Sequence, residues 1–110
     1  MYIIVNETRR HRYIYFVVKS SNKKFNIEKS EINNEIKLQC RNLFNKNYEN
    51  MGIRLISFNG KEGIVKCIHT EKENTIKLLN SIKKISLNKI DIKTIGTSGT
   101  IKTLIKKYKK

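Results

Sequence analysis

The chain has 110 residues, enough for one domain around one modest core, and 38% of them are apolar against 30% charged, which suits a soluble globular protein and not a disordered one. Its net charge is +15, from 24 basic and 9 acidic residues. A balance so basic opposes folding by self-repulsion unless a polyanion offsets it, so nucleic acid is the expected partner. The only early apolar run, Tyr2-Ile3-Ile4-Val5, is too short for a signal sequence or a membrane span, so a cytoplasmic protein without membrane association is expected.

The elements follow in chain order. Arg12 to Lys19 (RYIYFVVK), aromatic and β-branched, predicts a central strand, and Ser20 to Asn26 a polar loop. Ser30 is expected to cap a helix to about Asn45, with Ile32, Ile36, Cys40 and Leu43 on its buried face. Ile53 to Phe58 and Gly63 to His69 read as strands joined by a hairpin that Asn59-Gly60 opens. Thr70 with Glu73 suggests a capping box on a second helix, whose buried stripe would be Ile76, Leu79 and Ile82. Lys89 to Ile95 alternates as a fourth strand that Gly96 ends, and Thr97 to Thr100 leads into a last helix through Tyr108. The order β-α-β-β-α-β plus a terminal basic helix predicts an α+β, ferredoxin-like or RRM-like sandwich. Both helices would lie on one face of an antiparallel sheet, and the other face would be open or covered by the terminal helix. A single domain spanning residues 1–110 is expected, with residues 1–10 as a flexible basic arm.

Lysine outnumbers arginine and there is no alanine, proline or tryptophan, as in proteins of AT-rich genomes, so the distribution of charge says more than its total. Residues 81–110 hold nine basic residues and one acid, whereas residues 20–80 hold eleven against seven. In the terminal helix Ile101, Leu104, Ile105 and Tyr108 form an apolar stripe, with Lys102, Lys106, Lys107, Lys109 and Lys110 opposite. Such a face attracts a phosphate backbone, although a run of charge is also the ordinary solvated side of a helix. A membrane-surface helix would want Trp or Phe anchors, which are missing.

Ser98, Gly99 and Thr100 stand at the start of that helix. Free backbone N–H groups there suit an anion, and capping alone would select the same residue types. Arg9, Arg10 and Arg12 precede the first strand, and AT-rich coding does not favour arginine, whose fork suits phosphate. The expected RNA-binding residues are therefore Arg9, Arg10, Arg12, Ser98, Gly99, Thr100, Lys102, Lys106 and Lys107. Tyr13 and Tyr15 share one strand face and Phe16 the other, so at least one set is core. The third strand lacks the aromatics of a base-stacking platform.

Protein-borne catalysis has little support. His11 and His69 have no evident nucleophile partner, the acids show no paired or metal-ligating spacing, and no catalytic residue or metal site is expected. The phosphate loop of an acylphosphatase is replaced by Ser20-Ser21-Asn22-Lys23-Lys24. Cys40 and Cys67 have no metal-site spacing and read as buried reduced thiols.

HRYIYF at 11–16, GIRLI at 52–56, GIVKCIH at 63–69 and above all IKTIGTSGTIKTLIKKY at 92–108 resemble the archaeal ribonuclease P protein component 2 family, homologous to a subunit of the eukaryotic enzyme. The resemblance runs in order along nearly the whole chain, is faint over 20–35 and is absent from 1–8. It implies an RRM-like sandwich that is a non-catalytic protein subunit of the endoribonuclease removing the 5′ leader from precursor tRNA. The implied partners are ribonuclease P RNA and ribonuclease P protein component 3, two copies of each protein, with precursor tRNA nearby. The protein would bind no cofactor, and magnesium would belong to the RNA. The alternatives are a ribosome-associated RNA-binding module of the same fold and an adaptor that binds only proteins.

Overall fold

In the computed structural model the described residues are 10–20, 27–85 and 88–108. Arg9, nearly all of the expected N-terminal arm, the loop after the first strand, and Lys109 and Lys110 lie outside them.

The first strand, β1 (His11–Ser20), is built from β-branched and aromatic residues whose alternation divides them between two faces. Helix α1 (Lys29–Phe44) follows, then a short 3-10 turn (Tyr48–Met51) and the hairpin of β2 (Arg54–Phe58) and β3 (Glu62–Ile68). Asn59 Oδ1 accepts from the N–H groups of Lys61 and Glu62 at 3.0 and 2.9 Å, and Gly60 takes φ +97°, a value that favours glycine. Helix α2 (Lys72–Ser81), the two-residue β4 (Lys84–Ile85), β5 (Asn88–Ser98) and helix α3 (Ile101–Tyr108) complete the order.

The strands are arranged β2-β3-β1-β5-β4, antiparallel throughout, with β1 in the middle. The four long strands and the two helices between them make the expected ferredoxin-like sandwich. Ile14, Phe16 and Val18 of β1 join Ile32, Ile36 and Cys40 of α1 and Leu78 and Leu79 of α2 in the main core. On the opposite face Tyr15, Ile64 and Leu104 form a second core, flanked by Tyr13, Ile101 and Tyr108, so α3 covers part of that face. Both cysteines are free and buried in the main core.

Several local expectations are corrected. Helix α1 starts after Glu28, not Ser30, because Glu31 Oε1 reaches back to accept from the Glu28 N–H at 3.0 Å. Leu43 is exposed; it lies in the last turn, where Phe44 packs against the core instead. Thr70 does not cap α2, since His69–Glu71 form a 3-10 turn and α2 begins at Lys72. Its buried stripe is Thr75, Leu78, Leu79 and Ile82, with Ile76 only partly covered. Thr75 can be buried because its Oγ1 donates to the Glu71 carbonyl at 2.7 Å.

Gly96 does not end its strand; β5 runs on to Ser98. The register against β1 shifts at this point, with Tyr15 opposite Gly96 and Phe16 opposite Thr94, so Ile95 bulges. A Cβ on Gly96 would collide with the phenol end of the Tyr108 ring, which makes this glycine the seat of α3 on the sheet.

Candidate nucleic-acid interface

The two basic regions that the sequence separates meet at one end of the sheet. Tyr13 lies opposite Ser98, so the start of β1 runs beside the end of β5. The Arg12 guanidinium comes to the Gly99 turn, where a glycine Cβ would stand 3.3 Å from Nη1, and Nη1 donates to the His11 carbonyl at 3.3 Å. Arg10 has an exposed side chain, and its carbonyl accepts from the His69 backbone N–H at 2.8 Å.

Thr100 is the residue that caps α3. Its Oγ1 accepts from the Thr103 N–H at 3.2 Å and donates to Thr103 Oγ1 at 2.8 Å, while its carbonyl accepts from Leu104 N–H at 3.2 Å. Ser98 Oγ accepts from the Thr100 N–H at 3.4 Å. Ser98 belongs to the strand and only Gly99 and Thr100 form the turn.

Helix α3 docks through Leu104, which is 1% exposed, with Ile101 and Tyr108 beside it. Ile105, expected in that stripe, is instead 43% exposed. An eight-residue helix on a sheet buries a narrow strip, and Ile105 falls on its rim. Lys102, Lys106 and Lys107 all face outward.

Four acids are engaged elsewhere. Glu71 pairs with Lys46 at 3.3 Å, Asp91 with Lys83 at 3.4 Å and Glu73 with Lys72 at 3.5 Å. Glu62 accepts the Tyr15 hydroxyl at 2.8 Å. Among the described residues, Arg10, Lys102, Lys106 and Lys107 form no ion pair, so their charge is available to an external anion.

Base stacking on the sheet is blocked at Tyr15, which is buried under α3 with its ring centroid 6.4 Å from that of Tyr108. Burial, then the bond and charge of Glu62, hold its phenol above the usual range. Burial also pushes the Cys40 thiol up to about 11, with the Glu71 carboxylate adding to it, and raises that of Cys67. Among the described residues no three His, Cys, Asp or Glu side chains gather where a metal could bind, and no helix is long and apolar enough to cross a membrane.

A basic surface that the sequence reading did not single out lies on the outer face of β2 and β3. Arg54 is the direct cross-strand partner of Lys66, and Lys66 that of Tyr13. Arg54 and Lys66 also line an open cleft of about 570 Å³, with His11 and Lys29.

The Rpp14/Pop5 family profile matches residues 12–109. A protein of Archaeoglobus fulgidus named ribonuclease P protein component 2 is 28% identical over 99 residues, covering 90% of this chain and 88% of that protein. One of the same name from Methanosarcina barkeri is 30% identical over 56 residues, 51% of this chain and 42% of that protein. Among solved structures, a chain in the cryo-EM structure of yeast ribonuclease MRP superposes with a TM-score of 0.64, covering 96% of this chain and 95% of that one. Identity there is 7%, so this likeness speaks for the fold alone.

Proposed function

The chain belongs to the Rpp14/Pop5 family, and on that premise we propose that it is a protein subunit of ribonuclease P, the RNA-based endoribonuclease that removes the 5′ leader of precursor tRNA. The observation that carries the proposal is the family match over residues 12–109, joined to near full-length similarity with a ribonuclease P protein component 2. The subunit works within an RNA-containing complex with other protein subunits. Its finer partners are ribonuclease P RNA and protein component 3, assembled with two copies of each protein, and precursor tRNA lies nearby.

The role is electrostatic and architectural. Folding a catalytic RNA brings phosphates close together, and their repulsion is normally screened by magnesium. Fixed cations on a folded protein neutralise the same phosphates and release counterions as they do so. Arg10, Arg12, Lys102, Lys106 and Lys107 supply such charges from a surface with no competing carboxylate partner among the described residues. Chemistry at the scissile phosphate, and the magnesium it needs, belongs to the RNA. The purified chain alone is therefore expected to cleave no precursor tRNA. Cleavage should appear with the cognate RNA and component 3, at lower magnesium than the RNA needs without them. Cleavage by the RNA-free chain that survives stringent purification would contradict this assignment.

A further inference from the structure

We propose that the cleft at the β2 edge of the sheet, lined by His11, Lys29, Arg54 and Lys66, binds the phosphodiester backbone of RNA, with Arg54 and Lys66 closing on the same stretch of strand. The proposal rests on the reading of the protein as an RNA-binding subunit and adds a binding surface away from α3.

Arg54 and Lys66 face each other on neighbouring antiparallel strands, where opposed side chains have Cβ atoms about 4.5–5.5 Å apart and like charges repel. Neither forms an ion pair or a side-chain hydrogen bond among the described residues. Among the described residues this like-charge pair thus has no ion-pair partner. A phosphate between the two cations would turn that repulsion into attraction, and the arginine fork adds paired donors suited to its oxygens.

The surroundings agree. The cleft, of about 570 Å³, adds Lys29 and His11 to the two strand cations, against Glu49 as its one acidic side chain. Small-molecule pockets are mostly apolar and enclosed; this one is charged and open, as suits a backbone passing through. The cleft begins at the end of the sheet where Arg10 and Arg12 enter β1, and Tyr13 lies directly beside Lys66. Tyr13 thus stands between Ser98 and Lys66 on the sheet, one residue from Arg12.

A matched control exists on the same molecule. Lys84 and Lys89 are also cross-strand partners and exposed, but they sit at the opposite edge of the sheet and line no part of this cleft. The test uses the full chain and a fluorescein-labelled single-stranded RNA of mixed sequence, followed by anisotropy over a range of salt. Arg54→Gln with Lys66→Gln should weaken binding about tenfold. It should also lower the slope of log affinity against log salt by about 0.7 for each phosphate that is no longer neutralised. Lys84→Gln with Lys89→Gln, an equal change of charge, should do neither, and the exchange Arg54→Lys with Lys66→Arg should keep most of the affinity. Melting temperature should stay level or rise in the Gln pair as repulsion is relieved, which separates a weakened site from a damaged fold. If wild type binds and the Arg54/Lys66 pair of changes leaves affinity and slope as they were, the cleft is not an RNA site, although the RNA-binding reading stands. If RNA affinity is unchanged while assembly with component 3 is abolished, the cleft serves an acidic protein surface and the proposal falls. If wild type binds no RNA, both fall together.

Discussion

Leu104 anchors α3 with 1% of its surface exposed, packed with Tyr15 and Ile64 of the sheet. Leu104→Ala should therefore cost about 2–5 kcal/mol of stability, read from thermal or urea unfolding. A cost near zero would mean that α3 is not firmly docked. Gly96→Ala attacks the same packing from the sheet side, since its new methyl would meet the Tyr108 ring. It should destabilise the fold by about 1–3 kcal/mol despite adding only one carbon. The thiols give a chemical readout of the main core. Cys40, held near 11, and Cys67, raised by burial, stay protonated and shielded at neutral pH. Iodoacetamide should leave the native chain unlabelled and react with both once it unfolds; rapid labelling of the native chain would contradict this burial. The burial of both is legible in the sequence because each falls in phase with its apolar neighbours. The exposure of Ile105 is not, because a helical wheel gives direction and not the width of the strip that a short helix can cover.

Helix α3 carries three outward lysines and no acid. Changing Lys102, Lys106 and Lys107 to Gln should leave the melting temperature level or raise it, because no ion pair among the described residues is broken. The same variant should need more magnesium for cleavage in the reconstituted enzyme. If it cleaves like wild type at low magnesium, α3 does not face the RNA. The long elements are legible in the sequence: β1 and the Asn59-Gly60 hairpin by composition, α1 and α3 by helical period. Element edges are less so, and for physical reasons. Thr75 hides the true stripe of α2 because a buried hydroxyl looks polar until its bond to the Glu71 carbonyl is seen. Gly96 looks like a strand end, whereas it is the point where another element needs room. Arg54 and Lys66 escape a sequence reading because alternate polar residues in a strand look like an ordinary solvated face. Arginine, which AT-rich coding does not favour, is the available signal at Arg54.

Across the whole molecule, the net charge of +15 is divided unevenly between elements. Glu71, Glu73 and Asp91 neutralise lysines on α2 and in the turns, while Arg10, Arg12, Ser98 to Thr100 and the start of α3 converge at one end of the sheet. That convergence needs the register of β1 against β5, which no local pattern in the sequence specifies. The most direct test of the account is to tag the chain in its own cells, purify it under native conditions and sequence the RNA that accompanies it. Ribonuclease P RNA should be the dominant species, together with further ribonuclease P protein subunits. Recovery of ribosomal RNA in its place, or of proteins without RNA, would contradict the assignment.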